Sequence, residues 1–85
     1  GPAVEKPRQL VRGMIGHRRQ REAQILRELG KGARPIPVLV EAMYKGLDVR
    51  LKGAAGRSVL AHLIDLESQS RVACEDETWT LTATV

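Results

Sequence analysis

Eighty-five residues with a formal net charge of +4 have room for one domain and no second one. Apolar residues make up 42% of the chain, enough for a folded globule, and the lone Cys74 excludes an internal disulfide or a cysteine-based zinc site. No apolar run approaches the roughly 18 residues a membrane span needs, so the expected state is soluble and cytoplasmic. A domain this small buries only about 60–65% of the surface of its unfolded chain. Phe is absent, and Tyr44 and Trp79 are the only aromatics, so the core is expected to be thin and aliphatic. Cys74 is expected to be a buried thiol in a reducing compartment.

The charge is unevenly spread. Residues 1–57 hold 13 of the 14 Lys/Arg and 5 of the 10 acids, a balance of +8, while residues 58–85 hold only Arg71 against five acids, a balance of −4. A polyanion would be drawn to the first part and repelled by the second.

Residues 1–9 read as a lead-in, with two prolines and no apolar period, and residues 10–85 as the domain proper. From Arg8 to Leu29 the residues Leu10, Val11, Met14, Ile15, Ile25, Leu26 and Leu29 recur at helical spacing. Gly13 and Gly16 weaken the first half of this helix by about 1 kcal/mol each relative to Ala. Gly30-Lys31-Gly32 is expected to stop it, with a glycine in the left-handed cap position. Pro37 suits the first turn of a second helix, whose apolar stripe is Leu39, Val40 and Met43. Asp48 to Lys52 reads as a connection with room for one helical turn. Ala54 to Gln69 is a third helix, with Ala55, Val59, Leu60, Leu63 and Leu66 on one face and Ala61 and Ile64 at its border. The period then becomes two: Arg71 to Cys74 and Thr78 to Ala83 read as strands around a Glu75-Asp76-Glu77 bend, with Trp79, Leu81 and Ala83 on one face. Three helices followed by a β-hairpin give a mainly α domain with a small two-stranded wing, the order of a winged helix.

Three blocks then carry a resemblance. His17-Arg18-Arg19-Gln20-Arg21-Glu22 with Ile25-Leu26 matches a His-Arg-x-x-Arg-Glu-x-x-Ile-Leu pattern. Leu39-Val40 with Met43-Tyr44 follows, and then Ala55 with Ser58-Val59-Leu60-Ala61-His62-Leu63 and Leu66. In this order and spacing, over about residues 4–72, they resemble the C-terminal winged-helix domain of metallo-β-lactamase-fold hydrolases, in the β-lactamase-like protein 2 endoribonuclease branch. Two positions depart from that pattern: Ser70 stands where the family usually has Gly, and Pro35 stands near a position that is often a capping Thr. Gly1-Pro2 matches the end of a Gly-His-Gly-Pro stretch that carries a metal-ligating His in such hydrolases, and equally matches a cloning remnant.

The resemblance implies a non-catalytic accessory domain that packs on the catalytic domain of the same polypeptide and shapes substrate access. Zinc would then belong to that catalytic domain. His17 and His62 are the only histidines here, with no His-x-His-x-Asp-His cluster, so neither a metal site nor catalysis is expected in this chain. His17, Arg18, Arg21 and Glu22 are the candidates for the interdomain surface or the substrate rim, and Leu10, Val11 and Met14 are expected to pack on the catalytic domain. For Arg18 and Glu22 the other reading is an i,i+4 ion pair that orients the first helix against its own domain. His62 is expected at the edge of the third helix.

The alternative from another class is a free-standing nucleic-acid-binding winged helix. The third helix of such a domain should offer cations or amides to base edges. This one offers Arg57 and Ser58 near its start, then Asp65, Glu67 and Ser68, and its wing tip is acidic. No specific duplex DNA binding is therefore expected, and RNA contact through the basic first helix is at most weak. Titration with single-stranded RNA should shift amide resonances at Arg18, Arg19 and Arg21, fading by about physiological salt. Arg19→Glu should abolish the shifts and Arg57→Glu should change little; tight duplex binding lost on Arg57→Glu would promote the alternative.

Overall fold

A computed structural model describes the backbone of residues 7–82 and the side chains of residues 17–82. The expected lead-in over 1–9 falls mostly outside the described residues, as do Ala83 and the side chains of Leu10, Val11 and Met14. The elements run α1 (Pro7–Gly30), β1 (Arg34–Pro35), α2 (Ile36–Met43), a 3₁₀ turn (Val49–Leu51), α3 (Lys52–Ser68), β2 (Val72–Glu75) and β3 (Thr78–Leu81). This is a winged helix: three helices and a small antiparallel sheet.

The sheet holds one strand more than the expected hairpin. Its order is β1-β3-β2, both pairings antiparallel, with Arg34 opposite Trp79 and Cys74 on the other side of the same tryptophan. β1 escaped detection because two residues, one of them proline, show no alternation. Pro35 then serves α2 as its N-cap, extended at φ −79° and ψ 163°, with no side-chain hydrogen bond to the first turn. Pro37 sits in that turn, where a missing N–H costs nothing. The 3₁₀ turn is capped by Asp48, whose carboxylate accepts from the Arg50 N–H at 2.8 Å and from the Arg50 guanidinium at 2.9 and 3.2 Å. The Arg50 side chain first, and its N–H second, hold the Asp48 carboxyl below the usual aspartate value.

The core is aliphatic with one aromatic: Ile25 and Leu29 from α1, Leu39, Val40 and Met43 from α2, Val59, Leu63 and Leu66 from α3, Val72 from β2 and Trp79 from β3. Two expected core residues are not in it. Leu60 is 38% exposed, because it stands about 90° round α3 from the centre of the Val59, Leu63 and Leu66 stripe. Leu81 is also exposed, although it shares a face with Trp79. Cys74, expected to be buried, is exposed as well; it sits on β2, an edge strand of the described sheet, and lines a groove with Leu60 and Trp79.

The turns show where the chain carries strain. α1 ends at Gly30, and the residue with positive φ is Gly32, at 143°. At the end of α3 the Arg71 N–H donates to Leu66 C=O at 3.0 Å and the Ser70 N–H to Glu67 C=O at 2.9 Å, the two bonds of a Schellman motif. That motif places its C′ residue, Ser70, at φ 58°, the left-handed region that glycine fills without penalty. The wing turn does the same twice, at Asp76 (φ 50°) and Glu77 (φ 61°), the signs of a type I′ hairpin that favours Asn-Gly. Ser70→Gly should therefore raise stability by about 1 kcal/mol, the left-handed penalty offset by glycine's greater chain entropy. Replacing Asp76-Glu77 by Asn-Gly should do at least as much. Both are read as a higher urea midpoint at unchanged slope.

Candidate functional site

The candidate residues of α1 meet α3 in one polar joint. Arg18 and Glu22 lie one turn apart on α1; His62 and Asp65 lie three residues apart on α3, on the flank turned towards α1. The Arg18 guanidinium pairs with the Asp65 carboxylate, and its Nε lies 3.5 Å from Glu22 Oε2. Glu22 Oε2 also lies 3.1 Å from His62 Nδ1. A carboxylate only accepts, so the Nδ1–H of His62 is the donor. Glu22 and His62 are the inner pair, with side chains 16% and 14% exposed, while Arg18 forms the lid at 54%. Arg18 precedes Glu22, the weaker order for a pair along one helix, so the contacts across to α3 are what fix its position.

Arg21 points another way. Its guanidinium lies over the Tyr44 ring, 4.6 Å from the centroid, and its Nη1 donates to Gln24 Oε1 at 2.9 Å. This ties α1 to the end of α2 through a cation–π contact. His17 and Arg19 are exposed on α1. The structure thus brings Arg18 and Glu22 together and leaves His17 and Arg21 outside that cluster. Asp65 and Tyr44, which complete the contacts, were not among the sequence candidates. The signal for Asp65 lies in phase: it and His62 fall on the opposite flank of α3 from Leu60, and only a polar neighbour would suit them there. No group of three His, Cys, Asp or Glu able to hold a metal occurs among the described residues.

The far flank of α3 differs in kind. Leu60 and Ile64, one turn apart, are 38% and 53% exposed, with Arg57 exposed before them and Glu67 and Ser68 after. Leu60 also lines an open groove with Cys74 and Trp79, beneath the wing. The wing tip, Glu75 to Glu77, is wholly exposed and carries three acids.

With this geometry in view, the comparison with known families is decisive. The model of the β-lactamase-associated winged helix domain matches residues 36–79, from the first residue of α2 into β3. The chain belongs to this family. Neither the curated proteins nor the solved structures gave a match. The matched stretch of the winged helix domain starts after α1, so the polar joint unites a matched helix with one outside the match.

Within this winged helix domain, Glu22 is the residue the joint turns on, since both Arg18 and His62 reach the same oxygen. Glu22→Ala leaves a mostly buried imidazole without its acceptor and should cost about 1–2 kcal/mol. Arg18→Ala, at a site more than half exposed, should cost under about 1 kcal/mol. Urea denaturation of the two variants measures both; equal and negligible losses would mean that the joint does not hold α1 in place.

Proposed function

We propose that this chain is the accessory domain of a metallo-β-lactamase-fold hydrolase, packing on its catalytic domain and shaping the approach to the active site. Membership of the β-lactamase-associated winged helix family is the observation that carries this reading. The hydrolytic zinc belongs to the catalytic domain, because hydrolysis of this kind needs several His and Asp ligands converging on one metal. The sequence adds a surface for the contact. Leu10, Val11, Met14 and Ile15 recur at helical spacing along the first half of α1. In the second half, α1 gives Ile25 and Leu29 to the domain's own core. A helix of 24 residues is about 36 Å long, so its two halves can serve two bodies. The joint at Arg18, Glu22, His62 and Asp65 would then transmit the orientation of α1 to the rest of the winged helix, with His17 at the boundary.

The surface a nucleic-acid reader would use supports the same reading. Leu60 and Ile64 occupy α3 where base-reading side chains would be needed, and the wing tip would meet phosphates with like charge.

The full polypeptide that carries this sequence tests the proposal. A His-x-His-x-Asp-His zinc motif should precede Gly1, and the whole protein should hydrolyse its ester or phosphodiester substrate in a chelator-sensitive way. Paired Leu10→Asp and Met14→Asp substitutions should raise KM by about tenfold, or 1.4 kcal/mol, with a smaller change in kcat. Absence of the zinc motif, or unchanged kinetics in a variant shown to be folded, would sink the reading.

A further inference from the structure

The two edges of the sheet are treated differently. On the β1 side the edge ends in Pro35, which has no N–H to offer a neighbouring strand. On the β2 side the protection is limited to the strand's short length and the charge of Glu75. Residues 72–75 contain no proline and no lysine, and their partners on β3 run consecutively from Leu81 to Thr78, so no bulge twists the edge away.

The direction of the free polar groups follows from the ladder. The Arg71 C=O accepts from the Thr82 N–H at 3.1 Å, so the backbone of Arg71 faces β3. Backbone direction alternates along a strand, so Ala73 and Glu75 also face β3, while the N–H and C=O of Val72 and Cys74 point outward. We propose that this edge is an interface between two copies of the chain, with β2 paired antiparallel to β2 of the second copy in the register centred on Ala73.

Three observations select that partner and that register. Val72 and Cys74 are the outward-facing residues, and only the Ala73-centred register sets each of them against the other, closing two hydrogen-bonded pairs; centring on Val72 or on Cys74 closes one. The same register places Arg71 opposite Glu75 of the second copy at both ends, on the solvent face of the sheet, where opposite charges on facing residues attract. A parallel arrangement would instead stack Glu75 on Glu75 and Arg71 on Arg71. Antiparallel pairing also sends the two acidic tips to opposite ends, each beside the other copy's Ser70-Arg71 turn. Inside the sheet, exposed Cys74 and Leu60 line the groove behind this edge and offer apolar surface that pairing would cover. One strand pair with this flank makes a small interface, so association should be weak and reversible.

Sedimentation equilibrium up to about millimolar chain should show a monomer–dimer equilibrium. Arg71→Glu and Glu75→Arg should each weaken it by about tenfold, since each replaces two attractive pairs with two repulsive ones. The double variant R71E/E75R should restore it. Both positions are exposed, and thermal melts establish that each variant is folded before its association is read. Cross-linking checks the register. In a C74S background, A73C places two thiols on directly facing, non-hydrogen-bonded residues, where Cα atoms lie about 4.5 Å apart, within disulfide range. That variant should oxidise to a covalent dimer, whereas the native Cys74, facing Val72, should not. A strictly monomeric chain, a double variant no better than the single ones, or Cys74 cross-linking as readily as A73C would each overturn the proposal.

Discussion

Three helices and two strands of this domain share one thin core. Among the described residues its ten buried apolar side chains come from all three helices and from β2 and β3, and Trp79 on the central strand is the single aromatic among them. At roughly 0.05–0.15 kcal/mol per residue, a chain of this length has about 4–13 kcal/mol of stability in all. Truncating one buried Leu to Ala removes about 2–5 kcal/mol. No layer is therefore spare, and no helix can be released without exposing the other two. The same constraint explains why the strained turns persist. Ser70, Asp76 and Glu77 hold positive φ without being glycine, because the wing must fold back for Val72 and Trp79 to reach the core.

What could be read from the sequence follows from what periodicity reports. Leu39, Val40 and Met43 share an arc of about 100° on α2, Val59, Leu63 and Leu66 one of about 60° on α3, and all six are buried. Ser70 was legible as an anomaly because the resemblance put glycine there, and its left-handed backbone gives the physical reason. Periodicity fails where burial depends on what lies alongside. Leu60 belongs to the apolar stripe by pattern, yet it faces the open groove. Cys74 has the residue type of a buried thiol, yet its strand is the last in the sheet. β1 is too short to carry any pattern and exists only because β3 offers it an edge.

The candidate site was half legible for a similar reason. Arg18 and Glu22 announce themselves as an i,i+4 pair within one helix, but the partners that fix them, His62 and Asp65, lie forty or more positions further on. A single sequence gives no direct signal of that pairing. Arg21 stacks on Tyr44, a contact that depends on where α2 ends, and not on the motif that drew attention to the arginine.

The arrangement around α3 lets two kinds of contact coexist. Measured from Val59 at about 100° per residue, His62 and Asp65 centre near 270° and Leu60 and Ile64 near 120°, about 150° apart. The polar flank is occupied by α1, whose leading half is proposed to reach the catalytic domain. The apolar flank borders β2 and the groove beneath the wing. In a nucleic-acid reader this second flank, with the wing, would be the business end of the fold, and its chemistry would have to be cationic. Here residues 58–85 carry only Arg71 against five acids, the tip is acidic, and the exposed leucine and isoleucine favour a protein neighbour. The proposed contact with a catalytic unit draws on α1 and the proposed contact with a second copy on β2, so neither uses residues that the other needs.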